Sequence, residues 1–248
     1  MNRVDNPHRA GHVFEREGHP ALCWTEAGKG TPVLFVHGLT GTAGHDWSPQ
    51  LADLVRDHRV ISLDLRGHGS SELGQVGLSS SVGADDVYEF VEAHVGAPVH
   101  ACGFSYGAGV LLTLADRDPG LFSSLTLVGP SYRFDGDHHR RFLATRDRWP
   151  EALRRLHRGD DDFEQLLVLG ERDWLDMDLD PGRWADWEFP LLVVVGERDD
   201  PSKLEQAREI AQAVRKSSCL VVPDAGHMVQ LDRPHVVTKA IRALVQTA

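Results

Sequence analysis

Gly103-Phe104-Ser105-Tyr106-Gly107 stands between Val99-His100-Ala101-Cys102 and Ala108-Gly109-Val110-Leu111-Leu112-Thr113-Leu114-Ala115. The first flank is an apolar run of strand length and the second one of helix length, so the pentapeptide reads as a corner between a buried strand and a buried helix. A serine at such a corner takes a strained backbone and raises its hydroxyl out of the fold. The turn closes only where the residues two before and two after it lack side chains, which Gly103 and Gly107 satisfy. Ser105 then lies at a helix N-terminus, where free N–H groups and the helix dipole favour developing negative charge. A G-x-S-x-G can arise by chance, so its weight depends on the rest of the chain supplying the context.

Outward from that corner, strand and helix alternate. Pro32-Val33-Leu34-Phe35-Val36 is a buried strand that delivers the loop His37-Gly38-Leu39-Thr40-Gly41, and a helix follows from Ser48 or Pro49 to His58. Arg59 to Asp64 is the next strand and runs into the turn Leu65-Arg66-Gly67-His68-Gly69-Ser70-Ser71. A helix is expected over about 83–94, with Val87, Phe90, Val91 and, just past its end, Val95 on one stripe. Ser124 to Val128, Pro190 to Val195 and Ser218 to Val222 are further strands; helices are expected over 202–216 and from Pro234 to Val245. Residues 12–16 and 20–25 flank Gly18 as an opening antiparallel pair. The pattern predicts an α/β fold with a mostly parallel, doubly wound sheet. Ligands in such sheets bind beyond the carboxyl ends of the strands, and Ser105, Asp199 and His227 all follow such ends.

The alternation lapses over residues 131–189, which interrupt a core formed by 1–130 and 190–248. That segment has no β-branched run, holds Trp149, Trp174, Trp184 and Trp187, and places a series of arginines before a series of acids. It reads as a short helical cap inserted after the sixth strand. Trp149 and Trp184 are candidate substrate-pocket residues, though such tryptophans also serve to pack a cap onto a sheet. The arginines suit an anionic substrate or a phosphopantetheine carrier; the apolar stripe of Phe142, Trp149, Leu153 and Leu156 instead favours leaving most of them facing water.

Composition narrows the partners. With 41% hydrophobic and 25% charged residues, the 248-residue chain suits one large soluble domain. A formal charge of −11 opposes nucleic acid and anionic membranes. Cys23, Cys102 and Cys219 form no C-x-x-C pair, which argues against a disulfide framework or zinc site and, with the polar start Met1 to Gly11, leads to an expected cytoplasmic location. No histidine pair, His138-His139 included, has ligand spacing, so no metal and no cofactor is expected. The expected partner is a small-molecule substrate with an apolar or aromatic part, bound by a monomer or homodimer.

Hydroxyl attack on a carbonyl needs a base and an acid that orients the base. Serine, aspartate and histidine occur here in that chain order, and the sequence resembles the α/β-hydrolase family, in which the order is the rule. The likeness spans nearly the whole chain: His37-Gly38 after its strand, Asp64 to Ser71, the corner at Ser105, Gly196 to Asp199, and Asp224-Ala225-Gly226-His227. The resemblance implies a nucleophile at Ser105, a general base at His227 and its partner at Asp199. It also implies an oxyanion hole from the backbone N–H groups of Leu39 and Tyr106. It assigns His37, Asp64, Arg66 and His68 to loop shaping. Relatives that open epoxides or displace halide carry aspartate at the corner, which Ser105 disfavours.

Two function classes stay open at this stage. One is an enzyme cleaving an ester, lactone, thioester or activated C–C bond; the other is a non-hydrolytic member of the fold, a lyase, a cyclase or a ligand receptor. A decoy also needs resolving, because Gly170-Glu171-Arg172-Asp173 repeats Gly196-Glu197-Arg198-Asp199. Asp199 follows the β-branched run Val193-Val194-Val195, whereas Asp173 follows helically spaced residues behind the acidic cluster Asp160 to Asp162, so Asp199 is the predicted triad acid.

Overall fold

Eight strands form one sheet in the order β1-β2-β4-β3-β5-β6-β7-β8. The computed structural model describes residues 11–134, 151–157, 160–173 and 177–248. β1 (His12–Arg16) and β2 (His19–Ala27) pair antiparallel, and β2 joins β4 (Arg59–Leu63) antiparallel. β3 (Pro32–Val36), β4, β5 (Val99–Phe104), β6 (Phe122–Val128), β7 (Leu191–Gly196) and β8 (Ser217–Val222) run parallel. The expected opening hairpin, the parallel sheet and the family fold are therefore all present.

Unbroken apolar strands follow from burial on both faces. Along β3, Leu34 and Val36 enter one core, while Val33 and Phe35 enter the other; in β7, Leu191, Val193 and Val195 alternate in the same way with Leu192 and Val194. The first core is covered by α3 (Ser80–Phe90) and α4 (Tyr106–Arg117), with Ala207 and Ile210 added from the helix Pro201–Ala213. The second is covered by α2 (Ser48–Leu54) and by the terminal helix Pro234–Thr247, through Leu51, Leu54, Val237, Ile241 and Val245. Arg242 of that helix pairs with Asp53 at 3.2 Å and also with Asp57, tying it to α2.

Helix boundaries differ from those expected, at the start of α3 because of a local cap. Ser79 accepts the Val82 N–H and starts α3 three residues before the expected Gly83; after Phe90 the chain widens into one loose turn over Val91–Val95. α2 stops at Leu54 instead of running to His58. The one-turn helix α1 (Ala43–Asp46) has too few residues to show a period, and only its Thr42 cap marks it.

Between β6 and β7 the described segments hold α5 (Glu151–Arg154), α6 (Asp160–Asp173) and a short turn at Pro181–Arg183. α7 (Pro201–Ala213), α8 (Val229–Asp232) and α9 (Pro234–Thr247) complete the chain. Trp149 and Trp174 lie outside the described residues, as do Phe142 and His138-His139.

Of the two expected roles for Trp184, its surroundings match packing. Its indole is fully buried, donates its N–H to Asp116 Oδ1 at 2.7 Å, and stacks on Trp187. Asp116 lies eleven residues after Ser105 on α4, about 16 Å along the axis at 1.5 Å per residue, so Trp184 packs at the far end of the helix from the serine. Trp184→Phe should then lower unfolding free energy in urea by about 1–3 kcal/mol through loss of the buried indole bond, with no change in substrate preference. A changed preference at unaltered stability would restore the pocket role.

Candidate active site

β5 runs two residues beyond the predicted strand, to Phe104, and the chain reverses at Ser105 with φ 50° and ψ −110°. A non-glycine residue in that region costs about 1–3 kcal/mol and persists only where its surroundings enforce it. Two bonds do so: Ser105 N–H donates to Val128 O at 2.8 Å, and Gly107 N–H donates to His37 O at 3.0 Å. The flanking glycines are required by contact. A Cβ on Gly107 would lie 2.5 Å from His37 O, and one on Gly103 would lie 2.6 Å from Gly107 O. Ser105 is thereby held at the N-terminus of α4.

His227 comes from the loop after β8, the sheet edge. Strands lie about 4.8 Å apart, so the β5 and β8 ends are separated by roughly 14 Å, and the loop must fold back across β7 and β6. Gly129, after β6, provides the passage, since a Cβ there would meet His227 Cε1 at 2.9 Å. Phe104 flanks the imidazole with ring centroids 5.0 Å apart. His227 Nε2 then lies 3.0 Å from Ser105 Oγ, and its Nδ1 lies 2.9 Å from Asp199 Oδ2. The carboxylate partner at Nδ1 assigns the proton to that nitrogen and leaves Nε2 to accept from the serine hydroxyl.

Asp199 belongs to the loop after β7, and its side chain is 4% exposed against 36% for His227. Burial raises the Asp199 pKa, but the His227 hydrogen bond, the charges of His227 and Lys203 and the Asp200 N–H more than offset it, so the carboxyl stays below the ordinary aspartate value. Asp200 turns away to cap α7, accepting from Ser202 N–H at 2.9 Å. Asp173 is the last residue of α6, a helix as expected, and follows no strand end.

The loop after β3 is fixed peptide by peptide. The His37–Gly38 unit accepts from Gly107 N–H through its oxygen and donates through its nitrogen to Asp46 Oδ2 at 2.8 Å. The next unit is gripped by its carbonyl: His37 Nδ1 lies 2.7 Å from Gly38 O, and Gly41 N–H donates to the same oxygen at 3.2 Å. In a trans peptide the N–H opposes the C=O, so gripping Gly38 O aims the Leu39 N–H the other way. His37 Nε2 accepts from Leu65 N–H at 2.9 Å, which settles its Nδ1–H tautomer; burial, aided by the neighbouring His68, holds its pKa well below 6.5. Leu39 O and Thr40 O are met by His68 Nε2 at 2.5 Å and His157 Nε2 at 3.1 Å.

Asp46 and His157 are the members that sequence reasoning missed. Asp46, 2% exposed, sits in a helix of a single turn and carries no motif. His157 follows α5 and reaches the core loops, its Nδ1 3.3 Å from Gly69 N. His37, Asp64, Arg66 and His68 shape the loops. Arg66 pairs twice with Asp86 at 2.6 Å, and Asp86 also takes Arg16 at 2.6 Å. Asp64 keeps some exposed surface while its carboxyl end is packed round by protein. Burial pushes it up to about 7 against the opposing Ala43 and Ser70 N–H groups. Burial likewise lowers His68 to about 4.

Among the described residues no group of three His, Cys, Asp or Glu side chains could hold a metal ion, and no helix is long and apolar enough to cross a membrane. Several known proteins resemble the chain over nearly its full length. It is 25% identical over 270 residues to an (E)-2-((N-methylformamido)methylene)succinate hydrolase of Acinetobacter baylyi, covering 96% of this chain and 95% of that one. It is 28% identical to 3-oxoadipate enol-lactonase 1 of the same organism, over 95% of this chain and 96% of the relative. A hydrolase structure from Pseudomonas aeruginosa PA01 superposes with a TM-score of 0.80 at 21% identity, over 96% of this chain and 98% of that one, a likeness of fold. The model of the alpha/beta hydrolase family matches residues 33–240, and with the sheet order and corner described above, the chain belongs to that family.

Proposed function

We propose that the chain is a serine hydrolase that cleaves a small-molecule ester, lactone or thioester, with Ser105 as nucleophile, His227 as general base and acid, and Asp199 as orienting carboxylate. The observation that carries the reading is the unbroken relay Ser105 Oγ, His227 Nε2, His227 Nδ1, Asp199 Oδ2, with both contacts at or below 3.0 Å. As Ser105 Oγ attacks the carbonyl, its proton passes to His227 Nε2, and the buried Asp199 carboxylate stabilises the imidazolium that forms. The Leu39 and Tyr106 N–H groups receive the oxyanion. The imidazolium then protonates the leaving oxygen or sulfur. Water, deprotonated by His227, attacks the acyl-serine and returns Ser105 to its starting state. The enol-lactonase and succinate-derivative hydrolase among the relatives support hydrolysis of small substrates.

Residues 131–189 act as a cap in this reading, and α6 presses on the loops that carry the oxyanion hole. A Cβ on Gly170 would lie 2.8 Å from Leu39 Cδ2, and one on Gly67 would lie 2.9 Å from Leu166 Cδ2. The substrate therefore enters between cap and sheet end, and cap residues select its apolar part. No cofactor takes part, and the location is cytoplasmic.

Ser105→Ala should reduce turnover of p-nitrophenyl acetate by about 10³-fold or more with an unchanged thermal midpoint. Turnover near wild type would overturn the nucleophile. Asp199→Asn should cost about 10²–10⁴-fold in kcat, and Asp173→Asn and Asp200→Asn far less. A crippled Asp173→Asn would instead move the triad acid into the cap. Asp46→Ala should lower kcat by about 10-fold or more at little change in KM, because Gly38 N–H loses its acceptor and the Leu39 amide its aim; Asp46→Asn, which keeps an acceptor oxygen, should recover most of it. Equal kcat in Asp46→Ala and wild type would remove Asp46 from that role.

A further inference from the structure

Gln50 and Gln230 are both fully buried, and neither takes part in the proposed reaction. Gln50 lies in α2, four residues after the Asp46 that holds Gly38 N–H, and Gln230 lies in α8, which begins two residues after His227. Gln50 Nε2 donates to Gln230 O at 2.9 Å and lies 3.5 Å from Pro234 O, so one amide joins α2 to α8 and to the first residue of α9. Two carbonyl oxygens beside that nitrogen fix which way the Gln50 amide points, since its own oxygen would be repelled there. The other three polar atoms of the pair, Gln50 Oε1, Gln230 Oε1 and Gln230 Nε2, are buried and meet no hydrogen-bond partner among the described residues. Their sequence neighbours Leu51 and Val229 enter the second core, so the two amides stand at its polar exception.

We propose that Gln50 and Gln230 form a closed site for internal water, shared between the two amides, which seats α8 and the His227 loop on α2. An amide buried without partners is costly, and a leucine or methionine at either position would avoid that cost. Internal water removes it, because one molecule makes about three bonds to buried groups of this kind. The chemistry of the set selects water over an ion. Two carbonyl oxygens and one NH2 carry no net charge and call for an occupant that both donates and accepts; a cation would face the Gln230 N–H groups, and an anion would face both oxygens. With both side chains fully buried, only a small occupant fits. α8 has reason to need such a seat, since it is a single turn and Met228 supplies no side-chain cap bond. The inference stands whether or not the chain hydrolyses an ester.

A high-resolution crystal structure of the full-length protein reads the site directly. One ordered water, or a bonded pair, should lie within about 3.2 Å of Gln50 Oε1 and of the Gln230 amide. A protein group in that place, or no water beside either amide, would overturn the site. Substitution gives a second reading in which the two cases differ in sign. Gln230→Met keeps the length of the side chain and removes both of its polar atoms. With water bound, the variant strands it, and the thermal midpoint should fall by about 2–6 °C; with the amide unmet, the same change relieves it and the midpoint rises, which would sink the proposal. Gln50→Met should lower the midpoint too, and the double variant should fall by at least about 2 °C less than the sum of the single shifts, because each single change disrupts the same site. Additive shifts would mean that the two amides share no occupant, and the shared site would be wrong. The crystal structure needs no variant, so it decides the matter if a methionine variant does not fold. Both measurements are made without turnover, so an absence of Ser105-dependent esterase activity would defeat the hydrolase reading and leave this result untouched.

Discussion

Three strand spacings separate the end of β5 from the end of β8, and the candidate triad exists only because a loop crosses that gap. The crossing depends on a bare backbone at Gly129, which leaves room for the imidazole over the end of β6. Much else follows from it. Phe104 flanks the ring from the strand that leads to Ser105, Asp199 meets it from β7, and Lys203 donates to the Gly129 carbonyl. Each sheet strand from β5 to β8 thus contributes one group at its carboxyl end, in the order in which the strands lie.

The second constraint is the density of polar groups behind Ser105. The loops after β3 and β4 are buried, and a buried loop must satisfy its own peptides. Here histidines and aspartates do so in place of a neighbouring strand: His37 and Asp46 serve one stretch, His68 and His157 the next, and the Arg16, Asp86 and Arg66 group anchors the turn beyond. His37 and His68, whose pKa values burial depresses, are well suited to this, since a neutral imidazole can still donate from one nitrogen. The loop gains rigidity from side chains whose bonds go to its own peptides.

Strand positions were legible because burial on two faces leaves unbroken apolar runs, and the motifs followed because strand ends dictate where loops point. Asp199 was separable from Asp173 on that ground alone: Val193 to Val195 can only be a buried strand, and residues before Asp173 carry helical spacing. What remained illegible is long-range or unspaced. Asp46 acts through a contact eight residues back, inside a helix too short to show a period, and His157 acts across more than a hundred residues. Trp184 stayed open between two roles because a tryptophan in a cap-like segment has the same local signature whether it faces a ligand or packs on a helix; its bond to Asp116 shows the packing. The start of α3 shifted to follow the Ser79 hydroxyl cap, and α2 ends at Leu54, four residues short of His58.

The terminal helix α9 covers the second core through Val237, Ile241 and Val245 and is tied by Arg242 to α2, which is encoded nearly two hundred residues earlier. A ribosome makes the chain from its N-terminus, so β3 to β6, the corner at Ser105 and the first core emerge before the segment that shields the other face. Until α9 arrives, Phe35, Trp47, Leu51 and Leu54 have lost their cover and present an adhesive apolar surface. The nascent protein is thereby exposed to aggregation late in synthesis. The same topology withholds His227 until that interval is almost over, so Ser105 stands in its corner for some time before the imidazole it faces is made.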